Sequence, residues 1–430
     1  MSEHRVDGWQ NLLTGYGVRG IDKRMSTEFV GAQRLSEAIQ TNMFTGDGFA
    51  QRIISLPVDD MVREWFRIEG DTEGLILDAL KALQAKACIT RALKWARLYG
   101  GAVVVMGIDD GGELAQPLNE NNIRNVDFLR VYDRYRVSRH KEYMTPESPK
   151  YGQVEQYMVS PCSGTPYYVH ESRILIFDGI DVPDSVRQNN NGWGDSVLQA
   201  IYPRIRGLGE AYGNIETIIS EFIIGKLTIK NLGELLATGQ ESLVHSRLSQ
   251  IDLSKHVINS ILLDESETFD RVSATVSGLE KLMGLLVQAC SAVTGIPVTL
   301  LIGESPAGLQ ATGASDIRLY YDAIAADQET ILRPSLEKLA KYIMLSKEGP
   351  TGGKEIDGWA IEFNSLWQQT EKELAETRKI TAETDGIYIT NGVLLPEEVA
   401  ASRFGGNKYS AETELMIERT MPTIEDGENA

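Results

Sequence analysis

The chain is poor in residues that carry redox and metal chemistry. It has 430 residues but only three cysteines and five histidines. Cys88, Cys162 and Cys290 are isolated, with no CxxC pair. That excludes a disulfide framework or thiolate metal site by spacing, and a reducing compartment is expected. His4, His140, His170, His245 and His256 never fall at ligand spacing. Long apolar runs are also missing. The most apolar stretch, IETIISEFIIGKLTI, is interrupted by Glu216, Glu221 and Lys226 and is too short to span a bilayer. The opening MSEHRVDGWQ has no apolar core of the signal-peptide kind, so none is expected. Positive charge is scarce: 42 Lys and Arg stand against 61 Asp and Glu, a net charge of −19. Such a chain is a poor candidate for tight, sequence-neutral DNA binding through phosphates. It can still surround DNA without gripping it.

Catalytic motifs are equally thin. GPTGGKE, from Gly349, has too short a spacing for a P-loop and lacks the Ser/Thr after Lys354; a glycine turn is expected there. No G-x-S-x-G elbow occurs. His170-Glu171-Ser172 is a single H-x-S, whereas two-His phosphodiesterases need one His as base and another as acid. A strand residue with a satisfied side chain is the expectation for His170. The pairs Asp59-Asp60 and Asp109-Asp110 are expected in surface turns. Arg130, Arg134, Arg136, Arg139, His140 and Lys141 cluster around one strand. Tyr132 and Tyr135 fall on opposite parities, so a solvated or subunit-interface face is expected rather than a nucleic-acid groove.

What is present is a clear order of elements. Residues 1–45 are polar and Gly-rich and are expected to form an arm. Helical spacing begins at Phe49, breaks at Pro57, and resumes from Thr72 to Tyr99 before Gly100-Gly101. From Ala102 to Phe177 the period becomes that of strands. Val182 to Trp193 is expected to be a loop. Asp195 can cap a helix running to Ile224, roughly 45 Å long at 1.5 Å per residue. A small α/β unit to Val276 follows, then a helix from Ser277 to Val293. Next is the loop LLIGESPAGLQATGAS, Leu300 to Ser315, long for a compact domain and hence functional or mobile. Gly303, Gly308 and Gly313 free its backbone, and Glu304 is its one charge. A helix to Leu345 contains Pro334, which should kink it. The tail carries a strand (GWAIEFN), a charged helix from Glu371 and a short helix opened by Pro396.

Six strings in this order resemble the tailed-bacteriophage portal proteins, in the branch once described as a domain of unknown function. They are FAQRIISLPVDDMVREWFRIEG from Phe49, ALKWARLYGGAVVVMGIDDG from Ala92, WGDSVLQAIYPRI from Trp193, VTGIPVTLLIGESPAGLQATGASD from Val293, ILRPSLEKL from Ile331, and the segment from Phe363 to Gly405. The resemblance implies an α+β portal fold that assembles as a ring, typically of twelve subunits, at one capsid vertex. It implies an arm (1–45), a wing of helices then strands (46–194), a first stem helix (195–224) and a clip (225–276) bearing Lys226, Lys230, Asp264 and Glu265. A second stem helix (277–294), a tunnel loop (295–314), a long kinked helix (315–349) and a C-terminal wing or crown with an acidic tail (350–430) follow. Leu301, Gly303, Glu304, Ser305, Pro306, Gly308, Gln310 and Gly313 would face the DNA channel.

The implied role is a structural, non-enzymatic conduit for genome packaging and ejection, present in the virion and assembled in the host bacterial cytoplasm. Implied partners are further copies of the chain, double-stranded DNA passing without sequence specificity, the terminase large subunit, major capsid and scaffolding proteins, and a neck or adaptor protein. No membrane, metal or cofactor is implied. Twelve copies at −19 sum to roughly −228, a field that repels a polyanion and keeps contacts weak. The alternative expectation is an enzyme, a two-His nucleotide-signal phosphodiesterase or another head-associated activity.

Overall fold

The computed structural model describes residues 34–71, 73–220, 223–228, 268–273, 278–303, 310–367 and 371–405, with 242, 245, 246, 249 and 413 as single positions. The chain divides into two compact units, one through Asn364 and one from Ser365.

The first unit opens with α1 (Glu37–Gly46), capped by the Ser36 hydroxyl, so the expected arm is already helical from Glu37. Asp47 caps α2 (Gly48–Arg63). Ile53, Ile54, Val58, Met61 and Val62 recur at helical spacing and are all buried. After β1 (Phe66–Glu69), the expected helix from Thr72 to Tyr99 is two helices, α3 (Leu75–Ala82) and α4 (Ala85–Tyr99). Gln84, in a left-handed conformation with φ +52°, separates them.

Then come β2 (Gly101–Asp109), β3 (Asn125–Asp133), β4 (Val137–Glu142), β5 (Val154–Val159), β6 (Tyr167–His170) and β7 (Ile174–Asp178). They form two antiparallel sheets, ordered β3-β2-β7 and β4-β5-β6. The chain changes sheet at two short 3-10 turns, Arg134–Arg136 and Glu171–Arg173. Val103 and Val105 of β2 meet Val137, Tyr157, Val159 and Val169 of the second sheet, with Trp193 beside them. The other face of β2 carries Ala102, Val104 and Met106, also buried, and α4 packs on that sheet. A strand covered on both faces reads as a continuous apolar run, as AVVVM does.

The segment expected as a loop after Val182 contains α5 (Asp184–Asn189). Next is α6 (Val197–Ser220). Ser196, not Asp195, supplies the first cap, its hydroxyl accepting from the Leu198 amide at 3.1 Å, while Asp195 pairs with Arg34 at 3.1 Å. The helix does not run to Ile224: Ile223 opens β8 (Ile223–Thr228), paired antiparallel with β9 (Thr268–Ser273). The β-branched pair Ile223-Ile224 suits a strand.

The remaining elements are α7 (Leu279–Thr294), α8 (Val298–Ile302), α9 (Gln310–Asp327), a π-turn (Gln328–Leu332), α10 (Arg333–Met344) and β10 (Ala360–Phe363), which pairs with β1. Pro334 stands in the first turn of α10. The expected kink is therefore a widened turn just before the proline. A proline lacks an N–H and crowds the carbonyl one turn back, and an i→i+5 turn there relieves both.

The second unit contains α11 (Glu371–Thr390) and α12 (Pro396–Phe404). The Arg403 guanidinium forks onto both oxygens of Asp385 at 2.8 Å, with both side chains buried. Among the described residues, no helix is long and apolar enough to cross a membrane.

Candidate functional site

The Gly-rich connection between α7 and α9 is built from capping chemistry. Gly295 ends α7 in a left-handed conformation, φ +69°. The Ser291 hydroxyl donates to the Ile296 carbonyl at 2.6 Å, and Pro297 directly precedes α8. Gly303 ends α8 at φ +78°.

The loop is thus shorter than expected. Leu300 to Ile302 and Gln310 to Ser315 are helical, and Leu301 is buried rather than presented. Helix propensity was the missed signal: VTLLI opened by proline and QATGAS leading into a long helix extend both flanks. Gly303 and Gly313 are described, Gly313 lying inside α9, as does Gln310. Glu304, Ser305, Pro306 and Gly308 lie outside the described residues, as do Lys230, Asp264 and Glu265 of the expected clip. Lys226 is on β8.

One helix mounts both ends of this loop. On the near side, Arg52 of α2 donates through Nε to the Leu300 carbonyl at 2.7 Å. On the far side, the Tyr320 hydroxyl of α9 donates to Asp60 Oδ2 at 3.1 Å, and Arg63 Nη1 reaches both Asp60 Oδ1 (2.9 Å) and the Tyr321 hydroxyl (3.3 Å). Beyond it, Gln328 in the π-turn donates to the Met61 carbonyl at 2.6 Å. Arg52 and Asp60 are eight positions apart, so these attachments stand roughly 12 Å apart along α2. Burial raises the Asp60 carboxyl above its ordinary value, against the Tyr320 hydrogen bond and the Arg63 charge. Burial also lowers the pKa of Arg97, opposed by Asp327, while Arg97 Nη2 holds the Ile53 carbonyl at 3.0 Å.

Asp60 is therefore not in a surface turn. Its position on the buried stripe of α2, beside Met61 and two turns after Ile53, was the available signal. Asp110 is a second such correction. Arg173 Nη2 bonds both of its oxygens at 2.9 and 2.7 Å, and neither side chain is exposed by more than 2%. Burial alone would raise the Asp110 carboxyl, but bonds from Asn119, Arg173 and Gly112 outweigh it and hold it below the usual range.

The arrangement offers little chemistry. His170 is buried, and its Nδ1 lies 2.9 Å from the Ser172 hydroxyl and accepts from the Ser172 amide at 3.2 Å. The Ser172 hydroxyl also accepts from Leu118 N at 2.9 Å. Burial lowers the His170 pKa. Its side chain caps a 3-10 turn and is withdrawn from solvent. The basic cluster is dispersed: Arg134 is buried against the Gly194 carbonyl, Lys141 pairs with Glu155, and Arg130 lies over the Phe128 ring. Among the described residues, no group of three His, Cys, Asp or Glu could hold a metal.

Comparison with known proteins bears on this geometry. A family model described as phage portal protein matches residues 40–387. A protein of Caulobacter sp. (strain RHG1) named anti-CBASS protein Acb1 is 34% identical over 397 residues, covering 88% of this chain and 62% of that protein. One of the same name from Sphingomonas paeninsulae is 28% identical, covering 90% and 63%. The chain therefore spans less than two thirds of the length of these two relatives. Among solved structures, a chain from the neck of a native gene transfer agent particle, computed with C12 symmetry, superposes with a TM-score of 0.53 at 15% identity, covering 81% of this chain and 88% of that one.

Proposed function

Since the chain belongs to the phage portal protein family, we propose that it forms the ring-shaped DNA conduit at one capsid vertex of a virion. The loop after Gly303 is its channel constriction. The observation that carries this reading is the common mount: α8 and α9 are both tied to α2, so a short Gly-rich segment is presented by fixed struts. A conduit needs a positioned element that touches DNA weakly. An acidic chain with one charge in that loop fits, since strong phosphate contacts would stall the polymer. The C12 symmetry of the gene transfer agent neck supports a ring of this fold. In this reading β8 and β9 belong to the clip, where a terminase and later a neck protein dock. Capsid and scaffolding proteins would surround the wing.

The test joins microscopy to packaging. Purified chain should give closed rings by electron microscopy. Replacing 304–306 with a Gly-Ser linker should preserve rings and abolish DNA packaging. Unchanged packaging would refute the constriction.

The second reading is the two-His nucleotide phosphodiesterase that the sequence left as the alternative, and two relatives named anti-CBASS protein Acb1 keep it in view. The buried, engaged His170 argues against it in this chain. Turnover of a cyclic oligonucleotide by the purified chain would reverse that conclusion.

A further inference from the structure

Helix α7 carries two apolar features on nearly opposite faces. One wall of a groove of about 770 Å³ is formed by Met283, Gly284 and Val287, with Phe49 of α2, Tyr212 of α6 and Ile302 of α8 opposite. Leu282 and Leu285 are 59% and 60% exposed. At 3.6 residues per turn their midpoint lies roughly 160° around the helix from that of Gly284 and Val287. They cannot reach the groove of their own chain.

Two further observations point outward. A Cβ added at Gly284, or at Gly213 of α6 next to Tyr212, would meet nothing within 4 Å. Glycine inside a helix weakens it relative to alanine, and among the described residues nothing stands against these two positions. The bare backbone leaves room there for a group approaching from outside. The ionisable groups also match: Glu280 lines the groove, and Lys281 neighbours the leucines in sequence on the exposed side of α7.

We propose that Leu282 and Leu285 of one copy insert into the α2–α6–α7–α8 groove of the next, with Lys281 directed at the neighbour's Glu280. The occupant is a second copy because each chain then gives one surface and receives the other. Such a contact is heterologous, and it generates a ring where its rotation closes. This rests on the ring reading above and assigns the surface that makes it. It also places the interface beside Ile302 and Gly303, at the end of α8.

The test uses the full-length chain. Mass photometry of wild type should show rings, and the double variant Leu282→Arg with Leu285→Arg should reduce the ring fraction at least tenfold with an unchanged circular dichroism spectrum. In a Cys162→Ser background, chains carrying Leu285→Cys mixed with chains carrying Met283→Cys should form disulfide dimers, and neither alone should. Rings at wild-type yield from the arginine variant, or cross-linking by Leu285→Cys alone, would overturn the assigned surface and leave the ring reading standing. A wild type that forms no rings would overturn both. Should the arginine variant misfold, the cysteine mixture decides.

Discussion

At the residue scale, the buried ions of this chain hold its loops in place. Arg173 holds Asp110, the Ile108 carbonyl and the Gln116 carbonyl together. Asp110→Asn removes the charge and leaves the guanidinium buried and uncompensated, which costs about 3–5 kcal/mol; thermal melting should show it. The pH dependence has a definite sign. The folded Asp110 pKa is depressed, so its contribution is present above the unfolded value of about 3.9 and is lost as pH falls through the folded value. The acid limb of a urea-midpoint curve should flatten in the Asn variant. Gly303 gives a smaller effect. Its φ of +78° is unfavourable for alanine, though the space around it is open. Gly303→Ala should cost about 1–2 kcal/mol through backbone strain alone, measurable by denaturant unfolding.

At the element scale, periodicity made most helices legible, and their ends less so. The run Ile53, Ile54, Val58 and Met61 identified α2 because burial repeats with the helix period. Its task did not show, because Arg52, Asp60 and Met61 act on residues some 250 positions away. The kink at Pro334 was legible as a disruption, while the tie of the π-turn to α2, through Gln328 and the Met61 carbonyl, was not. Gln328→Leu removes that bond and leaves a buried carbonyl unsatisfied, at a cost of about 1–3 kcal/mol. Hydrogen exchange should then rise in α9 ahead of any change in the sheets. The YGG string ending α4 has a similar tertiary reason. A Cβ on Gly100 would lie 2.7 Å from the Gly194 carbonyl, and one on Gly101 would strike the Trp193 ring at 2.4 Å.

At the scale of the whole molecule, charge and closure matter most. In the proposed conduit, a ring of chains at −19 each must balance repulsion locally at its contacts while leaving the channel unfavourable to adsorption. Under the proposed constriction, Glu304→Lys, repeated around the ring, would add phosphate contacts. Packaging should slow, and its rate should become more dependent on salt than in wild type because counterion release accompanies each contact. An ionic-strength series of packaged DNA length checks this.

The order of elements, the scarcity of catalytic groups and the family resemblance follow from the sequence alone. Hydrophobic period, turn residues and composition are local properties, and a chain carries them before it folds. Three things required the tertiary structure: the burial of Asp60 and Asp110, the shortening of the Gly-rich loop, and the mounting of both its ends on α2. Each depends on which distant groups meet. Whether a carboxylate is solvated or paired, and whether a glycine frees a loop or admits a neighbouring backbone, is decided by what stands opposite it in space.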